Sequence, residues 1–177
     1  MTLRIRRFAV GDEAALLAVF RASVHGLAAR DYTPVQIEAW APTDADAGYH
    51  AQWARRMQAL RPWVAEIDGR IVGYADLQPS GQIDHCFVAA EFARRGVGRA
   101  LLAQLHCVAR GAGIRTLWAD VSLSAQSWFR QAGFAIEREQ VVSVRGVALR
   151  NARMSKRLAA GDEAGVAGSG PAATSRD

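Results

Sequence analysis

Apolar and polar positions change period several times along this chain of 177 residues, and each change marks an element. Leu3 to Phe8 alternates apolar and basic residues, the period-two pattern of a strand with one wet face. At Gly11-Asp12 the period lengthens. Asp12 suits a helix N-cap, and Ala14 to Ala22 is rich in Ala and Leu. Thr33-Pro34-Val35-Gln36 is a second helix start: Thr33 caps, Pro34 suits the first helical position, and Gln36 completes a capping-box pattern. That helix carries Ile37 and Trp40 and stops before Pro42. A third helix is predicted from about Asp46 to Leu60, before Pro62.

Period two then returns. Trp63 to Ile67, the Asp68-Gly69 dipeptide and Arg70 to Leu77 read as a hairpin, and after Ser80-Gly81 a further strand runs from Gln82 to Val88. An amphipathic helix from the glycine turn to about Gly111 precedes a strand at Thr116 to Val121. A helix over Ala125 to Ala132, stopped by Gly133, leads to strands Ala135 to Val144 and Val147 to Arg157, which turn at Arg145-Gly146. This order describes a mixed α/β (α+β) domain over residues 1–160, with a mostly antiparallel central sheet and flanking helices. Residues 161–177 are Gly/Ala/Ser-rich and read as a flexible tail.

Composition narrows the class. Half the residues are hydrophobic and 22% are charged, as in a globular domain. The net charge is +5; the tail holds Asp162, Glu163, Asp177 and Arg176, net −2, so residues 1–160 carry +7. A basic domain favours anionic partners. Nucleic acid ranks last among them, because no recognition motif for it is present. Cys86 and Cys107 lie in apolar elements outside any metal-ligand spacing, so no metal is expected and both read as reduced core thiols of a cytoplasmic protein. No apolar run reaches the roughly eighteen residues of a membrane span, and MTLRIRRFAV lacks the apolar core of a signal peptide.

The chemistry concentrates between Ile83 and Leu102. An apolar run, Cys86-Phe87-Val88, leads to Arg94-Arg95-Gly96-Val97-Gly98-Arg99 and directly into ALLAQLHCVA. Amides at a helix start lack intrahelical partners, the helix dipole favours an anion, and glycine admits a ligand to the backbone. A dinucleotide fingerprint fails, because its third glycine is replaced by Leu101 and the glycines stand seven residues beyond the strand. A Walker A loop fails for want of Gly-Lys-Ser/Thr.

RRGVGRALL after CFV resembles the acyl-CoA motif of the GNAT N-acetyltransferase superfamily. Ser122 to Phe134, with Ala125, the pair Trp128-Phe129 and Gly133-Phe134, resembles that family's second motif, and the element order matches from about Leu3 to Leu158. Asp31-Tyr32-Thr33-Pro34 and Trp40-Ala41-Pro42, with Ile83-Asp84, look like a bacterial branch of small acetyltransferases.

The resemblance implies acetyl-CoA as co-substrate and a small-molecule or peptide amine as acceptor, which attacks the thioester directly. A homodimer is compatible with this. The amides of Arg94 through Arg99 would hold the pyrophosphate, although Ala93 stands where the family usually has Gln or Arg. Phe87 and Val88 would flank the pantetheine arm, with the Val88 amide polarising the thioester carbonyl. Ser122 stands where Asn often contacts that arm, and Ser124 and Gln126 are further polar candidates; for either serine an N-cap role is equally in keeping with its position. Phe129 stands where the family often has a proton-donating tyrosine. Tyr74, Tyr32 or water could replace it, or the thiolate could leave unprotonated, which a thiol of pKa about 8.5 permits.

For the base, alternation puts Asp84 on one face with Gln82 and Cys86, and His85 on the other with Ile83 and Phe87. Asp84 is preferred, acting through a water, and His85 reads as packed. Tyr32 and Trp40 are the best candidates for the acceptor pocket. Phe129 and Ala93 also motivate an alternative, a catalytically silent acyl-CoA-binding or regulatory domain on the same fold.

Overall fold

The computed structural model describes residues 1–159; the tail expected at 161–177 lies outside the described residues. The elements in chain order are β1 (Leu3–Arg7), α1 (Glu13–Ser23), α2 (Pro34–Trp40), α3 (Ala47–Leu60), β2 (Trp63–Ile67), β3 (Arg70–Ala75), β4 (Cys86–Val88), α4 (Val97–Gly111), β5 (Thr116–Ser122), α5 (Gln126–Gln131), β6 (Ala135–Val144) and β7 (Val147–Arg157). No helix among the described residues is long and apolar enough to cross a membrane.

The strands form two sheets rather than one. β1-β2-β3-β4 pair in that order, β5-β7-β6 make the second sheet, and all named pairs are antiparallel. The sheets touch through one parallel bridge, Gln82 to Trp118. There the Ile83 amide donates to the Trp118 carbonyl at 2.8 Å and the Trp118 amide to the Gly81 carbonyl at 3.0 Å. Beyond this bridge β4 and β5 part.

Two apolar clusters fill the domain. In one, Val97, Leu101 and Leu105 of α4 pack with Val72, Leu117 and Met154 from the strands. In the other, Leu16 and Phe20 of α1 and Trp53 and Met57 of α3 pack with Val64 and Tyr74. Burial of such side chains contributes roughly 1.5–3 kcal/mol each before entropy is counted.

Local signals worked where the chemistry was local. Thr33 Oγ1 accepts from the Gln36 amide, and Gln36 Oε1 accepts from the Thr33 amide, so the capping box forms as expected. Asp46 caps α3 through the Tyr49 amide. Asp12 stands at the start of α1 but makes no cap bond. Its carboxylate receives Arg6 at 2.7 and 2.9 Å and the Ala9 amide at 2.8 Å, because a charged fork outcompetes a neutral amide. α1 also runs on, as a wider π-helical turn over Val24–Ala28. Cys107, expected in the core, is exposed on α4.

Candidate active site

The parting of β4 from β5 opens a cleft of about 660 Å³. The bonds that flank the β3–β4 ladder decide what faces it. The Asp76 amide donates to the His85 carbonyl and the Ala89 amide to the Val72 carbonyl. Antiparallel bonding alternates, so the backbone groups of Phe87 turn to β3 and those of Cys86 and Val88 turn outward. On β5 the same alternation, starting from Trp118, turns the backbone groups of Asp120 and Ser122 towards the gap. Phe87, Val88, Ser122 and Phe129 all line the cleft. The Ser122 carbonyl is taken by the Ala125 amide at 3.0 Å, and the outward groups of Cys86 and Val88 on the β4 edge suit an extended, amide-bearing ligand arm.

At one end of the cleft α4 begins. Gly96 precedes it with φ of +83°, and the first amide to bond along the helix is that of Ala100, to the Gly96 carbonyl. The amides of Val97, Gly98 and Arg99 form the unpaired first turn of a 15-residue helix. Arg94 and Gly98 line the cleft at this end, and Arg99 lines an adjacent hollow between α4 and α5. Gly98 also has a packing duty, since a Cβ there would stand 3.1 Å from the Trp128 ring. Arg95 lies over Phe92, with 5.2 Å from its guanidinium carbon to the ring centre. Val97 is buried, so its side chain serves the core and its amide alone is available.

Towards the other end lie Asp84 and His85. The alternation expected for them does not hold. Asp76, at 1% exposure, accepts the Asp84 amide at 3.0 Å and the His85 amide at 2.6 Å on one carboxylate oxygen. Two successive amides aimed at one oxygen cannot belong to a regular pleat. β4 therefore starts only at Cys86, and His85 Nε2 stands 3.5 Å from Asp84 Oδ2. Asp84 lines the cleft, 24% exposed, and is ion-paired to Arg56 of α3. His85 is buried against Phe20, Trp53, Tyr74 and Phe87. Burial lowers its pKa to about 4, against the opposing pull of Asp84, so it is neutral near pH 7. Burial also pushes the Asp76 carboxyl up to about 6 and the Cys86 thiol up to about 12. A thiol so held is no nucleophile.

The family profile described as "Acetyltransferase (GNAT) domain" matches residues 28–158. The chain belongs to the GNAT acetyltransferase family. It is 33% identical over 144 residues to the uncharacterized N-acetyltransferase YafP of Escherichia coli (strain K12), covering 81% of this chain and 89% of that protein. Among solved structures, a GCN5-related N-acetyltransferase from Rhodopseudomonas palustris superposes with a TM-score of 0.83 at 32% identity, over 89% of this chain and 97% of that one. The PaiA N-acetyltransferase from Thermoplasma acidophilum, solved in complex with coenzyme A, shares the fold with a TM-score of 0.69 at 18% identity, over 89% and 100% of the two chains.

Within this GNAT domain the two expected tyrosines do not reach the cleft. Tyr74 has no exposed surface, and its hydroxyl meets His85 Nδ1 at 3.0 Å. Tyr32 is buried; its hydroxyl donates to the Arg150 carbonyl at 2.6 Å and accepts from the Leu123 amide at 3.0 Å. Neither can protonate a thiolate directly, and Tyr32 is a strut rather than an acceptor contact. Trp40 does line the cleft. Neither Ser122 nor Ser124 caps α5, whose N-terminal flank is Ala125 without a side-chain bond. Ser124 lines the cleft, and its hydroxyl has no partner among the described residues. Asp76 escaped the sequence reading because its importance rests on two amides eight and nine residues away, which no local pattern announces.

Proposed function

We propose that this protein transfers an acetyl group from acetyl-CoA to a primary amine, with Asp84 as the base. The observation that carries the reading is the single cleft that joins an amide-rich helix start and a strand edge to a partly exposed carboxylate. Acetyl-CoA, when bound, supplies the thioester that the amine attacks. The first-turn amides of α4 would hold its pyrophosphate, with Arg94 and Arg99 adding charge-assisted bonds. The edge of β4 would pair with the pantetheine arm. The outward Val88 amide would face the thioester oxygen, where a fixed donor stabilises developing negative charge.

Asp84 takes the proton from the acceptor's ammonium, directly or through a water. The freed nitrogen then forms the new C–N bond as the C–S bond breaks, the electron pair leaves with sulfur, and the nitrogen sheds its second proton to the departing thiolate or to water. With Phe129 in the usual tyrosine place and Tyr32 and Tyr74 engaged elsewhere, the sulfur departs as thiolate or takes its proton from water. The acceptor's end of the cleft is walled by Trp40, Phe87 and Leu27, which favours an amine on an apolar body, free or in a peptide. The two free cysteines support a reducing, cytoplasmic setting.

Free-CoA release in the presence of an amine panel tests the transfer. Release with none of the amines, alongside tight acetyl-CoA binding, favours the silent binding domain that Phe129 suggested. For the base, Asp84→Asn should lower kcat about a hundredfold or more while KM for acetyl-CoA holds. An Asp84→Asn enzyme with the wild-type rate and pH profile removes Asp84 from the role.

A further inference from the structure

The proposed base does not stand alone. His85 is buried, neutral near pH 7, and touches polar groups through both ring nitrogens: Nδ1 lies 3.0 Å from the Tyr74 hydroxyl, and Nε2 lies 3.5 Å from Asp84 Oδ2. A neutral imidazole carries one proton, so these two contacts fix each other. Were the proton on Nδ1, it would point at the tyrosine oxygen and leave the Tyr74 proton without an acceptor among the described residues. The bare lone pair of Nε2 would then face the Asp84 carboxylate, a repulsive contact in a buried setting. With the proton on Nε2, Tyr74 donates to Nδ1 and the imidazole N–H faces the carboxylate. Tyr74 keeps its proton, because burial holds its pKa well above the ordinary tyrosine value.

We infer that Tyr74 and His85 form a tautomer lock beneath Asp84: Tyr74 holds the His85 proton on Nε2, and that N–H faces the Asp84 carboxylate and orients it for proton transfer. This rests on the reading of Asp84 as base and deepens it. Tyr74 and His85 are positioning residues, since neither needs to touch substrate. Asp76 completes the arrangement by gathering the Asp84 and His85 amides, in the stretch where Asp84 Oδ2 and His85 Nε2 stand 3.5 Å apart. The contact at 3.5 Å is longer than a formed hydrogen bond, so the lock acts by orientation and by the sign of the facing dipole. The lock also gives the buried, aromatic-walled Tyr74–His85 pair a function, where a core of apolar residues would otherwise pack as well.

The titratable and charged groups around this pair are few. Arg56 and Tyr49 come from α3, Asp76 follows β3, and Cys86 comes from β4, while α1 turns the Phe20 ring to His85 and lays Arg21 over the Tyr49 ring. Arg56 pairs with Asp84 from the solvent side, so the carboxylate has a guanidinium on one flank and the imidazole on the other.

Nitrogen-15 spectra of the histidine side chains test the lock without any turnover. In the wild type at pH 7 the His85 ring should show protonated Nε2 and bare Nδ1. In Tyr74→Phe, which keeps the ring and removes the hydroxyl, it should become a tautomer mixture. Kinetics give the second readout. In Tyr74→Phe the imidazole no longer presents a fixed N–H to the carboxylate, so proton transfer loses its orientation: kcat should fall about tenfold while KM for acetyl-CoA holds. His85→Gln, which keeps an N–H donor at the same reach, should retain most of the rate and should abolish the effect of adding Tyr74→Phe.

A wild-type spectrum with the proton on Nδ1, or an unchanged kcat in folded Tyr74→Phe, overturns the lock. A purely structural tyrosine would lower stability and leave the His85 tautomer unchanged. If Asp84→Asn keeps the wild-type rate, the base reading fails while the spectra still decide the lock.

Discussion

Gly96 and Gly98 show how one motif joins two duties at the scale of single residues. Gly96 has open space around its missing Cβ but a φ of +83°, so the backbone conformation is what requires glycine there. Gly98 has ordinary helical geometry, but a Cβ would press on the Trp128 ring at 3.1 Å. Gly96→Ala should cost about 1–2 kcal/mol through left-handed strain and distort the cradle. Gly98→Ala should lower the melting temperature through the ring, and Trp128→Leu in the same chain should restore it. Thermal melts with and without acetyl-CoA check both; failure of Trp128→Leu to restore stability would show that the backbone, not the ring, carries the demand. Asp84 teaches a related lesson. Its residue type and place near Val88 were legible in the sequence, because the stretch from Gln82 to Val88 holds just two ionisable side chains of the kind a base needs, Asp84 and His85. Its side was not legible, because alternation assumes amides that bond to a neighbouring strand, and Asp76 diverts two of them.

Helix starts and hairpins followed the sequence closely where their chemistry spans a few residues. The Thr33–Gln36 box, the Asp46 cap and the β6–β7 turn at Arg145-Gly146 all lie as their local patterns require. Elements departed from pattern where a distant partner intervened. β4 lost its first residues to Asp76 and to the Trp118 bridge, and Asp12 left its capping duty for Arg6. Tyr32 is the clearest case. It sits just before α2, yet its hydroxyl ties β7 at Arg150 to the Leu123 amide after β5. Tyr32→Phe leaves both of those groups without this partner, so it should destabilise the protein by roughly 1–3 kcal/mol and lower the melting temperature by roughly 3–8 °C. Because the hydroxyl is a strut, kcat at a temperature well below the melt should fall less than tenfold. A collapse of kcat with an unchanged melting temperature would return Tyr32 to the chemistry.

Across the whole molecule, two buried groups oppose each other in their pH dependence. Asp76 is raised from its ordinary value to about 6, so between roughly pH 4 and 6 the folded state binds more protons than the unfolded state and stability falls as pH rises. His85 is lowered from its ordinary value to about 4, so over roughly pH 4 to 6.5 the unfolded state binds more protons and stability rises with pH. In the wild type the two slopes offset one another. Asp76→Asn should unmask a rising profile and His85→Gln a falling one, read from denaturant melts between pH 4 and 7; parallel profiles in the two variants would remove this balance. The chain's own sequence determined the element order, the glycine turn with its arginines, and the two motifs that carry the family. These depend on period, turn chemistry and spacing over short stretches, which the chain expresses without knowing its neighbours. Only the tertiary structure decided that the sheet splits after a single bridge at Gln82 and Trp118. It alone decided that the strand edges of Val88 and Ser122 face the gap, and that Asp84 and His85 meet above Tyr74. Those outcomes depend on which backbone and buried polar groups find partners across long separations, and satisfying them is a global constraint rather than a local preference.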